Sequence, residues 1–341
     1  MNGNTIENAV YKVTLDKNGD IASLVDKRYG RELVEQGKAF RLAIFEGNPS
    51  NEWPAWEVLK EVVDKTPRAV TDNVSVSVGE EGPVRASLKV ERTYGDSKFT
   101  QYITLTDGAQ DDRIDIRTTV DWNSRNTLLK AEFPMSVSNA KAAYDLGIGF
   151  IERGNNTATA YEVPALKWAD LTDADGSYGI SVLNDCKYGM SAEGSDMRLT
   201  LHKGGTRPDP FTDTGIQTMK YSLLPHIGAF DAETVIKPAY EFNYAPVEVE
   251  GKCELPKLFS LTGNGIICEA VKNAEDIENA YVLRLYEAER NHSVCKLNVG
   301  GAKKAYLTNM LEEKEEELEI KDGEVTLRFT PFEIKTVLVE R

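Results

Sequence analysis

Residues 161–189 read YEVPALKWADLTDADGSYGISVLNDCKYG, and this stretch decides the fold class of the chain. Short apolar runs alternate in it with acidic, glycine-rich turns. It ends in a polar elbow, Asn-Asp-Cys-Lys-Tyr-Gly at 184–189, after which strand-like alternation resumes. Apolar runs of this length, bounded by Asp, Asn and Gly, are typical of β-strands joined by tight turns.

Alternation of apolar and polar residues at period two continues on both sides of this stretch. It is clearest at 74–78, 101–106, 113–117, 197–201, 325–329 and 334–339. Turn signals recur at 17–20, 94–96, 107–108 and 322–323. Many half-buried strands joined by tight turns predict an all-β sandwich or barrel. No rhythm of strands alternating with helices is visible, which argues against a parallel-sheet or TIM-barrel domain.

Two segments depart from the strand pattern. In residues 51–65 (NEWPAWEVLKEVVDK), Trp56, Leu59 and Val63 stand at helical spacing and predict a short helix. Residues 309–319 (NMLEEKEEELE) favour a helix by propensity, whereas their short length and their place between strand signals argue against one.

Length and composition predict two domains. The chain has 341 residues, of which 41% are hydrophobic, and this exceeds a typical single domain. Prolines and a glycine interrupt the strand pattern at 246–256 (PVEVEGKCELP). We therefore predict a large domain over 1–247 and a smaller one over 248–341.

The charge balance and the cysteines limit the partners and the compartment. A net charge of -15 disfavours nucleic acid and anionic membrane surfaces. No apolar run approaches the ~20 residues of a spanning helix, and the N-terminal MNGNTIENAVYKV has no signal-peptide pattern. Cys186, Cys253, Cys268 and Cys295 form no CxxC pair, so neither a zinc knuckle nor a disulfide framework is indicated. A cytoplasmic location is the prediction.

The residues alone single out no catalytic pair and no metal ligand. His202, His226 and His292 lack HxH or HxxxH spacing. Glycosidases need two carboxylates at a set separation, and 55 acidic residues give no basis for choosing a pair. Phosphate-binding glycine motifs and the GxSxG motif are absent from the sequence.

The four tryptophans are candidates for sugar contact. Trp53, Trp56, Trp122 and Trp168 all stand beside polar or acidic residues. An indole face packs well on the C–H face of a pyranose, but large aromatic side chains also anchor sandwich cores. Both interpretations remain open for each tryptophan.

Several motifs in order along the chain carry a family resemblance. They are Tyr11-Lys12-Val13 with Asp26-Lys27 and Arg31-Glu32-Leu33, WPAWE at 53–57, Asp121-Trp122 with LLK at 128–130 and Phe133-Pro134, YSLLPH at 221–226, RLYE at 284–287, and TPFEIKT at 330–336. Together with residues 161–189 they resemble the C-terminal half of glycoside hydrolase family 38, the α-mannosidases. One departure is Pro54, which replaces an acidic residue that is usual in the family.

The resemblance implies an all-β fold in which a large galactose-mutarotase-like β-supersandwich (1–247) precedes a smaller C-terminal β-sandwich (248–341). Family members add an N-terminal α/β catalytic domain and a helical linker. That catalytic domain holds a zinc ion on His and Asp residues, an Asp nucleophile and an acid/base carboxylate, and the reaction retains configuration. No HxHxDxxW-like motif occurs here, so none of these roles transfers to this chain. The chain resembles a fragment that starts after the catalytic and linker domains, rather than a separate natural subunit.

The function implied is therefore that of a non-catalytic portion of a retaining, zinc-dependent α-mannosidase, inactive alone, which supports the catalytic domain and shapes its sugar pocket. Zinc is expected in the missing catalytic domain and not in this chain. Loops 53–56, 153–157, 170–175 and 184–188 are expected to face that domain. In them Trp53, Trp56, Asn155, Asp185 and Lys187 are the candidate residues for binding mannose-containing glycans. The alternative is that the polar elbows bind only their own turns, and a homo-oligomer is left open.

Two other functions stay open at this point. A free-standing carbohydrate-binding module would show an exposed row of tryptophans, whereas a partner-domain fragment would show an apolar patch. A mutarotase-like sugar enzyme needs a histidine and a glutamate converging in a cleft, and only His202, His226 or His292 is available for that role.

Overall fold

The computed structural model describes residues 3–47, 50, 52–107, 113–252 and 257–341. Strands dominate this part of the chain, and the helical segments described in it are short. These are helix α1 (Lys60–Val63), a π-helical turn (Ala232–Ile236) and helix α2 (Lys237–Asn243). The prediction of an all-β fold is confirmed. Residues 108 and 253–256, which belong to a predicted turn and to the predicted linker, lie outside the described residues.

The chain forms two compact units. Unit 1 comprises Met1–Asp145 and Ile151–Phe230, and unit 2 comprises Leu146–Phe150 and Asp231–Arg341. The sequence predicted the division at 247/248, whereas the two units divide the chain between Phe230 and Asp231.

Hydrogen bonds explain why unit 2 begins at Asp231. The backbone N–H of Ala232 donates to Oε1 of Glu289 at 2.9 Å. Further along, the hydroxyl of Tyr240 bonds the Tyr286 hydroxyl at 3.1 Å and donates to Glu269. These contacts connect the helical segment that starts at Ala232 to the strands of unit 2.

The described strands of unit 1 form three sheets, and strands are numbered in chain order. The first, ordered β1-β2-β3-β4, contains β1 (Thr5–Glu7), β2 (Tyr11–Leu15), β3 (Ile21–Asp26) and β4 (Arg31–Glu32). The six-stranded sheet, ordered β14-β17-β18-β11-β5-β6, contains β5 (Arg41–Glu46), β6 (Arg68–Ala69), β11 (Thr127–Pro134), β14 (Val163–Pro164), β17 (Gly189–Glu193) and β18 (Asp196–Lys203). The nine-stranded sheet, ordered β13-β12-β15-β16-β19-β10-β9-β8-β7, contains β7 (Asp72–Glu81), β8 (Arg85–Tyr94), β9 (Ser97–Thr106), β10 (Ile114–Trp122), β12 (Lys141–Asp145), β13 (Phe150–Gly154), β15 (Trp168–Thr172), β16 (Tyr178–Asn184) and β19 (Gly215–Ile227).

Aromatic side chains fill the core between the sheets of unit 1. Phe133 of β11 meets Tyr221 of β19 edge to face, with ring centroids 6.0 Å apart. Trp122 of β10 meets Phe99 of β9 at 6.4 Å, with its ring perpendicular to that of Phe99. All four side chains are at least 98% buried. Contact between the six- and nine-stranded sheets through alternate residues is the arrangement of a β-sandwich.

Unit 2 is a smaller β-sandwich. One sheet, ordered β20-β23-β26, contains β20 (Ser260–Thr262), β23 (Ser293–Asn298) and β26 (Glu324–Phe329). The other, ordered β21-β22-β27-β24-β25, contains β21 (Ile266–Asn273), β22 (Ala280–Glu287), β24 (Lys304–Thr308), β25 (Lys314–Leu318) and β27 (Ile334–Glu340). Residues of both sheets, including Leu297, Phe329, Leu283 and Val337, share one buried cluster.

The two segments that departed from the strand pattern have different outcomes, because the first contains a short helix as predicted and the second forms no helix. Residues 309–313 turn, and Lys314–Leu318 form strand β25, because pairing with β24 at the sheet edge outweighs the helix propensity of the glutamate run. In the earlier segment only Lys60–Val63 is helical. Its buried residue is Val62, which packs against Phe45 and Leu128, while Leu59 and Val63 are only partly buried.

A buried ion pair connects β8 with the turn that precedes β3. Arg92 donates from NH1 to Oδ1 of Asp20 at 2.6 Å, and the two side chains are 1% and 5% exposed. The same guanidinium donates to the carbonyl of Gly19 and to Gln101. Burial of the carboxyl raises the pKa of Asp20 to about 6, although Arg92 acts in the opposite direction.

We expect Asp20→Asn to alter how stability depends on pH. Because the pKa of Asp20 is higher in the folded chain than in the unfolded chain, the folded state binds more protons between about pH 4 and 6. Protonation of Asp20 therefore stabilises the folded chain, and this stabilisation is lost as the pH rises through that window. The asparagine variant should lose this dependence, a difference of roughly 2–3 kcal/mol across the window. Urea unfolding of both proteins at pH 4, 5, 6 and 7 measures it, and identical slopes would contradict the assignment.

Candidate functional site

Trp53 and Trp56 lie together on the surface of unit 1. Their side chains are 53% and 65% exposed, and their ring centroids are 5.4 Å apart at a tilt of 59°. The loop is closed by the Trp56 N–H donating to the Trp53 carbonyl at 3.1 Å and by the Trp53 N–H donating to Oγ of Ser50 at 2.8 Å. Trp122 and Trp168, in contrast, are buried, so the structure assigns these two to the core.

Asp185 and Lys187 lie in the elbow that the sequence singled out. Asn184 organises this elbow: its Nδ2 donates to the Leu166 carbonyl at 2.8 Å, and its Oδ1 accepts the Lys187 N–H at 2.9 Å. The Asp185 carboxylate accepts the backbone N–H of Lys220 at 3.1 Å. Only the bond from the Lys187 N–H closes the elbow's own turn. The other two bonds fasten the elbow to Leu166 and to β19.

A hollow of about 260 Å³ lies beside the elbow and is lined by Lys187, Tyr188, His202 and Lys203. Lys203 also donates to the carbonyl of Glu57, next to the tryptophan loop. Burial lowers the pKa of the Lys203 amine to about 8. Lys203 thus links the elbow and the tryptophan loop, two segments that the sequence placed on one side.

Asn155 is separate from these residues. Its Oδ1 accepts the N–H of Gly194 at 3.2 Å, and the neighbouring Asn156 accepts the N–H of Ala192 at 3.2 Å. Both asparagines therefore fasten their loop to β17 and to the turn that follows it. The five predicted sugar-binding residues are distributed over separate loops, and their role in binding sugar remains a prediction.

The histidines have different surroundings. His202 lines the hollow, its Nε2 contacts the Asp213 carbonyl at 2.9 Å, and its burial lowers the pKa of its ring. His226 is 5% exposed, and its Nε2 lies 2.7 Å from Oδ2 of the buried Asp170. His292 is exposed. The described lining of the hollow includes Asp213 but no glutamate. His202 therefore lacks, in this hollow, the glutamate that a mutarotase-like enzyme would need beside it.

Metal-binding clusters and membrane-spanning helices are both absent from the described part of the chain. No group of three or more His, Cys, Asp or Glu residues there is arranged to hold a metal ion. None of the helices described is long and apolar enough to cross a bilayer. The thiols of Cys186, Cys268 and Cys295 are free, and Cys253 lies outside the described residues.

Sequence reasoning missed a larger cleft in unit 1. Its volume is about 980 Å³, and Arg41, Glu132, Asp196 and Arg198 lie in its lining. Burial raises the pKa of the Asp196 carboxyl. The available signals were Lys130 and Glu132, two charged residues in the otherwise apolar run LLKAEFP at 128–134, because buried charges need partners.

Taken together, the fold and these surfaces define a two-unit antiparallel β-sandwich protein with polar clefts and an exposed tryptophan pair. Residues 6–211 match the glycosyl hydrolases family 38 C-terminal domain, and residues 265–337 match the family's C-terminal beta sandwich domain. The chain belongs to glycosyl hydrolase family 38. It corresponds to a C-terminal portion of the proteins in that family.

Relatives and solved structures agree with this assignment. The chain is 30% identical to human Alpha-mannosidase 2C1 over 98% of its own length and 33% of that protein. It is 29% identical to Alpha-mannosidase G of Dictyostelium discoideum over 97% of its length and 32% of that protein. The crystal structure of an alpha-mannosidase from Enterococcus faecalis V583 superposes with a TM-score of 0.75 and 19% identity, over 99% of this chain and 42% of that one. The chain thus spans about a third of the length of its curated relatives.

We expect iodide to quench the fluorescence of Trp53 and Trp56 selectively, because Trp122 and Trp168 are at most 1% exposed. The double variant W53F/W56F should lose the quenchable fraction of the emission and keep the remainder. Quenching that persists unchanged in the double variant would contradict the described exposure. Unfolding in urea, where all tryptophans become accessible, is the control.

Proposed function

We propose that the chain is the non-catalytic C-terminal portion of a retaining α-mannosidase, in which it supports a catalytic portion and shapes its sugar pocket. The relatives support this proposal because α-mannosidases align with nearly the whole chain while about two thirds of their length lies outside it. The proposal includes a zinc ion in the catalytic portion. The described residues of this chain offer no ligand set that fits such an ion.

One observation carries the proposal: exposed apolar side chains gather at one end of unit 1. This tryptophan end comprises Trp53, Trp56, Tyr188, Phe211 and Ile216, each at least 50% exposed. Clusters of exposed apolar side chains mark sites where other protein surfaces bind.

Contacts between the loops show that these residues share one end of the sandwich. A Cβ added at Gly205, just after β18, would lie 3.2 Å from Cα of Ala55 in the tryptophan loop. The guanidinium of Arg125 covers the ring of Phe211 at 4.5 Å. Ile216 stands opposite Asp121 near the end of β10. The tryptophan loop, the end of β18 and the start of β19 therefore meet there.

The mixture of residues favours a protein partner over a glycan as the main occupant. A carbohydrate platform uses flat aromatic faces, whereas Phe211 is already covered by Arg125 and Ile216 is aliphatic. The tilted, exposed Trp53–Trp56 pair is the observation that keeps the carbohydrate-binding module as a second candidate.

The proposal also extends to the compartment and the substrate. The free thiol of Cys186 is exposed, which suits a reducing cytoplasm. There the enzyme would act on mannose-containing glycans in mannose metabolism. A homo-oligomer stays a prediction.

We expect the chain alone not to hydrolyse 4-nitrophenyl α-mannoside, with or without added zinc, because the reacting groups belong to the catalytic portion. The measurement is release of 4-nitrophenol by the purified chain. Turnover that depends on zinc and survives repurification would contradict a non-catalytic role.

Docking is tested by co-expressing the chain with the catalytic portion from the same source. We expect a stable complex that hydrolyses the same substrate, and W56S/I216S should weaken the complex at least tenfold because it removes apolar area from the tryptophan end. Val84→Ser is the matched control, since Val84 is 68% exposed in unit 1 but lies in the turn between β7 and β8. An unchanged affinity for W56S/I216S would refute docking through this end, and mannose bound there instead would favour the carbohydrate-binding module.

A further inference from the structure

The large cleft of unit 1 lies on the outer face of the six-stranded sheet. Its volume of about 980 Å³ is at the upper end of the range for small-molecule sites. Helix α1 and residues 64–67 line one side, and Asp16, Asn18 and Asp20 also contribute. We propose that this cleft is a binding site for a neutral oligosaccharide, distinct from the tryptophan end.

A row of polar side chains crosses four strands at the floor of the cleft. Glu132 of β11 stands opposite Arg41 of β5 on one side and Arg198 of β18 on the other. Ser191 of β17 stands opposite Arg198 and completes the row. Residues directly opposite one another in adjacent strands project from the same face of a sheet, so register alone brings these four positions together.

Charged contacts hold the row in place. Oε2 of Glu132 accepts from Nε of Arg41 at 2.8 Å, and Oε1 lies 3.0 Å from Nε of Arg198. Arg198 also contacts Oδ2 of Asp196 through NH2 at 2.7 Å. Glu132 itself is 4% exposed. The row is therefore preorganised, which reduces the entropy cost of binding a ligand.

Part of the hydrogen-bonding capacity of the cleft is unused. Oδ1 of Asp196 is buried and has no hydrogen-bond partner among the described residues. The hydrogen bond described for Arg41 uses Nε, and the side chain is 35% exposed. Buried acceptors without partners are rare in native proteins. Because that oxygen is almost inaccessible, a ligand in the cleft would contact the exposed part of the Asp196 side chain, which is 23% exposed, and would accept from Arg41.

The charge balance of the lining selects the class of ligand. Five cationic and six acidic residues line the cleft. Because charges of both signs are present in similar number, the lining attracts neither anions nor cations strongly. A sugar hydroxyl donates and accepts at once, as this mixed lining requires. Tyr161 adds an aromatic side chain to the lining, of the kind on which a pyranose ring packs.

The cleft and the tryptophan end are far apart along β18. Asp196 begins that strand and lines the cleft, while Lys203 ends it and contacts the tryptophan loop through the carbonyl of Glu57. Seven residue steps in a strand span about 23 Å. Lys60 of α1, which also lines the cleft, follows Trp56 by only four residues, so the part of the cleft that is remote from the tryptophan end is the part near Asp196.

Isothermal titration calorimetry of the chain with a linear α-linked mannotriose tests the inference. The choice of a mannose sugar rests on the proposed function, whereas the cleft itself does not. Maltotriose is titrated in parallel. We expect saturable binding of at least one sugar, weakened at least fivefold in Arg41→Met and in Asp196→Asn. Val84→Ser, in the exposed turn between β7 and β8, should change the affinity less than twofold. Absence of saturable binding for both sugars, or an equal loss in Trp56→Ser at the tryptophan end, would overturn the inference.

A second measurement needs no variant and so stands if a substitution impairs folding. Lys38, Lys60 and Lys65 line the cleft, whereas Lys187 and Lys203 line the hollow beside the elbow. The bound sugar should protect the first three amines from acetylation and leave the other two unprotected. Equal labelling with and without sugar would refute the site. If the unsubstituted chain binds neither sugar but still forms the active complex with the catalytic portion, the cleft is refuted and the proposed function is not affected.

Discussion

Strand β11 is buried on both faces along its whole length, and the architecture of unit 1 depends on it. Its inward side chains, among them Leu129 and Phe133, belong to the core between the two large sheets. Its outward side chains, Lys130 and Glu132, are charged and almost fully buried. A charge in this position persists only when it is paired, because an unpaired buried charge is far too costly.

The partners of these charges come from the neighbouring strands and shape the outer surface. Lys130 donates to Glu162, which also accepts from Thr200 of β18. Glu132 is shared between Arg41 and Arg198. One end of this surface opens into the large cleft, and the other lies under α1, where Leu128 packs against Val62. A single strand thus couples the core to both polar and apolar outer surfaces.

Buried polar groups recur elsewhere in unit 1 and follow the same rule. Asp170 accepts from Ser181 and Thr172 and contacts His226, on the face of the nine-stranded sheet opposite to Leu171 and Ile180 of the core. Arg92 is held by Asp20 together with two further acceptors. Such networks fix register and strand identity more than they add stability, since desolvation offsets much of their Coulomb energy.

The sequence by itself determined the all-β class and the family, because period-two alternation and the order of short motifs are local properties of the chain. It also located the tryptophan loop and the elbow at 184–189. Only the tertiary structure decided that residues 309–319 avoid a helix, since pairing with β24 is a contact that propensity does not contain. The cleft could not be predicted from the sequence either, because positions 41, 132, 191 and 198 are far apart along the chain. Only the registers of β5, β11, β17 and β18 place them in one row.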